Sequence, residues 1–400
     1  MEIKTDYLII GAGIIGLTIA RHLRLKERDA QITIIEKETD VAYHSSGRNS
    51  GVLHAGFYYT ADSLKAKFTR EGNRLMRNYC YENNLRINEC KKVVIAHNEE
   101  ELSSLFELEK RGKINEVDIK LITGQELSAI EPNARTYKYA LYSPTTATVD
   151  PAEICQCIKR ELERNGVNIL FNEPYIRRME NNKIQTLRHS IRAKKIINAA
   201  GLYADKIAKD FGYSKNYVII PFKGIYLKYK GADKPIKTNI YPVPNLKNPF
   251  LGVHYTVTVD NILKIGPTSI PAFWRENYKG WTNFKRMEML NILTWEAQLF
   301  FRNSFGFRNL AIEEVKKYKR KYFTGLAAQM VQSIDEKEFK EWSKPGIRAQ
   351  LLNIHTKQLV MDFVVEGDKY STHILNAVSP AFTGSMPFAE WVVDNYLNKK

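Results

Sequence analysis

The chain has 400 residues, 44% hydrophobic and 26% charged, the proportions of a globular protein with room for two domains, or one large α/β domain with an insertion, and a sizeable core. It carries no low-complexity tract or fixed-period repeat, no apolar run of the ~18–20 residues that cross a bilayer, and only four cysteines, Cys80, Cys90, Cys155 and Cys157; these form no metal-ligand set and read as reduced thiols of a cytosolic protein. The outlier is a formal charge of +16, a field suited to an acidic substrate, an anionic membrane surface or nucleic acid.

The N-terminus shows no signal-peptide pattern, because it passes an acidic residue and enters a strand. Asp6-Tyr7-Leu8-Ile9-Ile10 runs directly into Gly11-Ala12-Gly13-Ile14-Ile15-Gly16, and Leu17 to Leu25 reads as a helix. In such a strand–turn–helix unit Gly11 allows the tight turn, Gly13 lets the backbone approach a pyrophosphate, and Gly16 permits close helix–strand packing. The phosphate then rests on the helix N-terminus, where free amides and the macrodipole favour an anion. A second strand, Gln31 to Ile35, ends in Glu36, whose carboxylate can accept hydrogen bonds from a ribose and would repel the 2′-phosphate of NADP. The unit alone does not separate FAD from NAD, but its position at the N-terminus and the Glu36-Lys37 pair favour FAD.

Residues His44 to Tyr59 begin with small residues, amides and hydroxyls, a poor helix or strand but a suitable wrapping for pyrophosphate and the polar edge of a flavin. Pro151 to Arg164 reads as a helix capped by Asp150, leading through Asn165-Gly166 into a strand at Val167 to Phe171, with another short buried strand at Ala193 to Asn198. Tyr217 to Pro267 is rich in β-branched and aromatic residues broken by Pro and Gly, and reads as a mixed or antiparallel sheet. Helices are expected from about Phe284 to Asn303 and from Pro387 to Leu397. The one dense basic cluster, Lys316-Lys317-Tyr318-Lys319-Arg320-Lys321, precedes Tyr322 and Phe323 and is either a solvated face or a membrane-surface contact. Without a longer basic stripe, nucleic acid is the least favoured partner.

The run Arg48-Asn49-Ser50-Gly51-Val52-Leu53-His54-Ala55-Gly56-Phe57-Tyr58-Tyr59, followed by Ser63-Leu64-Lys65-Ala66, resembles the L-2-hydroxyglutarate oxidase/dehydrogenase family, within the wider D-amino-acid oxidase and glycerol-3-phosphate dehydrogenase superfamily. Further blocks are similar in the same order: Asn198 to Asp205, Leu251-Gly252-Val253-His254-Tyr255-Thr256 with Ile265-Gly266-Pro267 and Ala272 to Glu276, Gly346-Ile347-Arg348-Ala349-Gln350, and Asn376 to Ser385. Two positions depart from the family, Arg48 where a His is usual and Lys223 where an Arg is usual. The resemblance implies an α/β protein, α+β overall, with a Rossmann-like FAD-binding domain (1–75, 148–215 and 345–400) interleaved with a mixed or antiparallel-sheet substrate domain (76–147 and 216–344).

It also implies oxidation of a 2-hydroxy acid, L-2-hydroxyglutarate above all, with quinone or oxygen as electron acceptor. A related amine, amino-acid or glycerol-3-phosphate oxidoreductase is the alternative that Arg48 keeps open. Such chemistry needs a base for the hydroxyl proton and groups that hold carboxylates. His54 is the expected base, with His254 the second candidate, and Arg48, Lys223, Tyr241, Tyr255, Arg275 and Arg348 are candidate substrate contacts. The FAD contacts expected are Gly11, Gly13, Ile14, Ile15, Gly16, Glu36, Lys37, Ser46, Asn49, Ser50, Gly51, Tyr175, Ala200, Gly201, Gly384 and Ser385. The expected location is the cytoplasm, with peripheral attachment to the cytoplasmic face of the inner membrane left open by the charge.

Overall fold

In the computed structural model residues 2–244 and 252–397 are described, and Met1, 245–251 and 398–400 lie outside them. The chain begins with strand β1, Glu2–Ile10, helix α1, Ile14–Lys26, and strand β2, Ile32–Ile35. Tyr7 to Ile10 and all of β2 are buried, as befits strands covered on both faces in a parallel sheet. β1 lies between β2 and the strand Ser190–Asn198, parallel to both; Asn168–Leu170 extends the parallel set beyond β2, and Ser371–Asn376 extends it beyond Ser190–Asn198. The hairpin Tyr175–Met179 and Lys183–Thr186 and the strand Val364–Gly367 complete eight strands. Helix Pro151–Arg164 has the expected bounds, with the Asp150 carboxylate accepting from the amides of Ala152 and Glu153. It and helix Ser385–Val392 pack on α1 over one face of this sheet. Cys155 and Cys157 are both buried and, like the other two cysteines, free.

A second eight-stranded sheet carries Lys92–Ile95, Asn239–Pro242, His254–Val257 and Leu263–Gly266 as neighbours of one another or of intervening strands. Its pairs are antiparallel except that Asn239–Pro242 runs parallel to Lys92–Ile95. The strand Tyr217–Gly224 pairs with Gly346–Asn353 over eight positions, Phe222 opposite Arg348. One sheet therefore joins chain segments on the two sides of the 344/345 boundary. The strand β3, Val52–Leu53, pairs with Ala147–Val149 in a small three-stranded sheet completed by Ile87–Asn88. The long helix expected near 284–303 runs from Arg286 to Arg302 and ends at Asn303 in the left-handed conformation, a common helix stop. The last helix starts two residues before the expected Pro387 and continues as a π-turn to Leu397. The architecture is mixed α/β.

Candidate active site

A cavity of about 890 Å³ runs from the Gly-rich turn, past the loop that precedes β3, to the junction of the sheets. Its volume lies at the upper end of the ~300–1,000 Å³ of small-molecule sites. At one end Gly11 has φ +108°, and a Cβ there would stand 2.7 Å from the Ala199 carbonyl oxygen; a Cβ on Gly16 would meet the Gly11 oxygen at 2.0 Å. These two glycines are demanded by close backbone approach, whereas a Cβ on Gly13 would meet only Ser46 Oγ, at 3.0 Å. The Ser46 hydroxyl accepts from the Ile14 amide at 2.9 Å, at the N-terminus of α1. Glu36 lines the cavity with its carboxylate pinned by two amides, Ala12 at 2.8 Å and Glu38 at 3.0 Å. Gly11, Gly13, Ile14, Ile15, Lys37, Asn49, Ser50, Tyr175, Ala200 and Gly201 also line it. Lys37 is already engaged, its ammonium 2.8 Å from Glu276 and also paired with Glu38.

Four expected cofactor contacts are placed elsewhere: Gly16, packed against the Gly11 backbone behind the turn, and Gly51, Gly384 and Ser385. Gly51, at φ +78°, lets the loop pack on Val149, whose oxygen would lie 2.4 Å from an added Cβ. Gly384 and Ser385 are not in the lining, which ends at Ser379 to Thr383; Gly384 instead packs on Phe68, and the Ser385 hydroxyl is buried without a partner.

At the other end β3 delivers His54 to the cavity wall. Its amide donates to Thr383 Oγ1 at 3.2 Å, and its Nδ1 is buried without a partner. Burial, reinforced by Lys92, His254 and Arg348, holds its pKa well below the usual imidazole value, so it stays neutral and able to accept a proton. Arg348, opposite Phe222 in the paired strands, lines the same wall, and burial lowers its pKa from the usual guanidinium value. Tyr226, Thr268 and Ser269 join them. Nothing in the sequence marked these three, since hydroxyl residues in a β-rich stretch are too common to stand out.

The second histidine lies behind this wall. His254 stacks on Tyr241 with ring centroids 3.7 Å apart and an interplanar angle of 19°. Its Nδ1 donates to the Gly252 carbonyl at 2.9 Å, and burial pushes its pKa down to about 3. His254 and Tyr241 are not among the lining residues. Tyr255, one position along the strand, points to the opposite side and packs on Phe339 in the core, as strand alternation requires. It is therefore not a substrate contact.

Two of the expected cationic clamps are also corrected. Arg275 is 3% exposed and forms a two-point pair with Asp205 at 2.7 and 2.9 Å, with Glu288 nearby; it braces the fold away from the cavity lining. Lys223 lies between Phe222 and Gly224, which line the cavity, and so faces the other way, its ammonium donating to Asn277 Oδ1 at 3.3 Å. Arg48 does line the cavity, but its guanidinium stacks on Tyr278 at 4.4 Å and donates to the carbonyls of Tyr43 (2.7 Å) and Pro345 (3.4 Å). Those contacts tie down the loop that wraps the site.

A residue that the sequence reading passed over is Lys92, in the strand Lys92-Val93-Val94-Ile95. It is fully buried, its ammonium has no hydrogen-bond partner among the described residues, and burial brings its pKa down to about 7. A charged residue inside an otherwise apolar strand pattern was the available signal.

A strand–turn–helix that can seat a pyrophosphate, continuous with a pocket ending at a neutral imidazole and a guanidinium, defines a flavin-type dinucleotide-binding oxidoreductase. The chain belongs to the FAD dependent oxidoreductase family, whose model matches residues 6–394. The mitochondrial L-2-hydroxyglutarate dehydrogenase of Nematostella vectensis is 33% identical over 420 residues, covering 97% of this chain and 90% of that one. L-2-hydroxyglutarate dehydrogenase of Indibacter alkaliphilus is 33% identical over 405 residues, covering 97% and 99%. The solved L-α-glycerophosphate oxidase of Mycoplasma pneumoniae, dithionite-reduced with FAD bound, shares the fold with a TM-score of 0.75 at 22% identity, covering 99% of this chain and 95% of its own. The cavity residues fit FAD: a glycine turn without side-chain obstruction, a helix N-terminus and a pinned ribose-side carboxylate.

Proposed function

We propose that the enzyme oxidises L-2-hydroxyglutarate, or a close 2-hydroxydicarboxylate, to the 2-oxo acid. The observation that carries this reading is the wall at the far end of the cavity, where neutral His54 stands beside Arg348. The L-2-hydroxyglutarate dehydrogenase relatives, matched along nearly the whole chain, support it. FAD, when bound, supplies the acceptor for the Cα hydride. His54 takes the hydroxyl proton as the C–O bond becomes a carbonyl, and Arg348 holds the neighbouring carboxylate with its two-pronged donor face. The test is anaerobic addition of L-2-hydroxyglutarate to the oxidised holoenzyme. Loss of the visible flavin absorbance with this acid, and not with glycerol 3-phosphate or amino acids, is expected; an unchanged spectrum refutes the substrate assignment.

Reoxidation is assigned to quinone, with oxygen as the alternative, at a peripheral membrane contact. Among the described residues no helix is long and apolar enough to cross a membrane. However, Phe284 lines the cavity mouth and packs on Trp281, which is 74% exposed, with Met287 77% exposed nearby in sequence and Lys279, Lys285 and Arg286 also exposed. Aromatic and basic side chains together suit an anionic lipid surface. The 316–321 cluster is weaker support, because Lys316 pairs with Glu313 and Lys317 is buried against Glu314. Sedimentation with anionic liposomes, lost on Trp281→Ser or at high salt, is the expected result, and no pelleting at low salt refutes it.

A further inference from the structure

Lys92 presents a physical problem that the ligand-free fold does not solve. Its ammonium has three donors and no acceptor among the described residues. It sits 4.8 Å from the ring centre of Phe57, 4.7 Å from that of Tyr58 and 4.8 Å from that of Tyr241. Aromatic faces attract a cation but accept no ordinary hydrogen bond from it. No carboxylate is among the groups acting on it; besides burial only Cys90 contributes. Its surroundings are themselves cationic or neutral: Lys92 is the first charge felt by His54, followed by His254 and Arg348. The His54 Nδ1 and Tyr58 hydroxyl beside it are likewise buried without partners. A buried ammonium in such a setting is destabilising until an anion reaches it.

The place of Lys92 indicates which anion. The cavity lining includes His54 and Arg348 but not Lys92, which belongs to the second sheet and is the first charge felt by His54. A substrate whose reacting carbon faces His54, and whose adjacent carboxylate is held by Arg348, would meet Lys92 only with a group that extends past the base. We propose that Lys92 is the anchor for the distal carboxylate of the substrate, and so the residue that selects dicarboxylic over monocarboxylic 2-hydroxy acids. This assignment rests on the oxidation of a 2-hydroxydicarboxylate proposed above. The three rings then act as a desolvating box that a single carboxylate completes, forming a charge-assisted contact in a site closed to water.

The test uses oxidised holoenzyme and two non-reacting acids of equal chain length, glutarate and pentanoate, with binding read from perturbation of the flavin spectrum. The wild type is expected to bind glutarate more tightly. Lys92→Met should weaken glutarate by about 10- to 100-fold, the value of a lost charged hydrogen bond, and leave pentanoate unchanged or improved. The ligand-free Lys92→Met protein should also melt at a higher temperature than wild type, because a buried unpaired charge has been removed; Lys92→Gln provides a second variant if the first folds poorly. Equal loss for both acids, no glutarate preference in wild type, or a lower melting temperature for both variants overturns the assignment. Whether L-2-hydroxyglutarate reduces the wild-type flavin is scored separately and judges the substrate reading alone.

Discussion

Glu36, at the end of β2, accepts a hydrogen bond from the backbone amide of Ala12, inside the Gly-rich turn, at 2.8 Å. The same carboxylate accepts from Glu38 at 3.0 Å, so the acid is oriented before any cofactor arrives. Glu36→Gln would set an amide donor against one of those N–H groups and remove the charge. Its FAD affinity is expected to fall by about 10- to 100-fold, on the scale of a charged hydrogen bond. Titration of apoprotein with FAD by flavin fluorescence measures it; an unchanged dissociation constant would show that the ribose is held elsewhere.

His54 is expected to act on the substrate proton rather than on the fold. His54→Asn should retain FAD and lower kcat by roughly 10²- to 10⁴-fold, the usual contribution of a general base, with a much smaller change in KM. Since burial depresses the His54 pKa, the acid limb of kcat/KM should lie below pH 6.5 rather than at it. An acid limb at or above 6.5 in the wild type would exclude His54 as the base.

Arg275 and Asp205 make the opposite prediction. Removing one member of a buried pair strands the other, at a cost of about 3–5 kcal/mol. Arg275→Met should therefore lower stability by that order in denaturant unfolding, while substrate KM of the folded enzyme stays near wild type. The double variant with Asp205→Asn should recover part of the loss. A raised KM with normal stability would return Arg275 to the substrate site.

Three buried histidines, His54, His254 (about 3) and His373 (about 4), have folded pKa values below the usual 6.5. Each binds a proton more readily when unfolded, so stability falls as pH drops below about 6.5 and continues to fall until the folded values are reached. Burial is the main cause for all three, and the groups acting on them besides are Lys92, His254 and Arg348 with His54, the Gly252 carbonyl, Lys92, Lys264 and Lys317 with His254, and Asp368 and Arg178 with His373. Calorimetric melting at several pH values should show proton uptake on unfolding near pH 5; an unfolding temperature independent of pH between 4 and 6.5 would contradict these burials.

The elements most legible in the chain were local ones. The strand–turn–helix at residues 6–25, the second strand ending in Glu36, and the Asp150-capped helix all depend on residues close in sequence, and they stand in the structure within a few positions of the expected bounds. Gly16 shows why: its missing side chain is required by Gly11, five residues away, whose oxygen would lie 2.0 Å from an added Cβ. The motif contains both the demand and the answer.

The reacting end offered no such closure. Lys223, Tyr255 and Arg275 are of the right chemical type, and nothing in their own segments tells which side of a strand meets the cavity or whether an acid such as Asp205, 70 positions away, has already claimed the charge. Lys92 was passed over for the complementary reason: its ring neighbours Phe57, Tyr58 and Tyr241 come from distant segments, and only their assembly turns an ordinary lysine into a desolvated cation. Cofactor class and overall order were thus determined by short-range backbone geometry written in glycines and one carboxylate. The identity of the groups that face the substrate was decided by strand register and long-range charge pairing, because burial and counter-charges are properties of the folded surroundings and not of the residue.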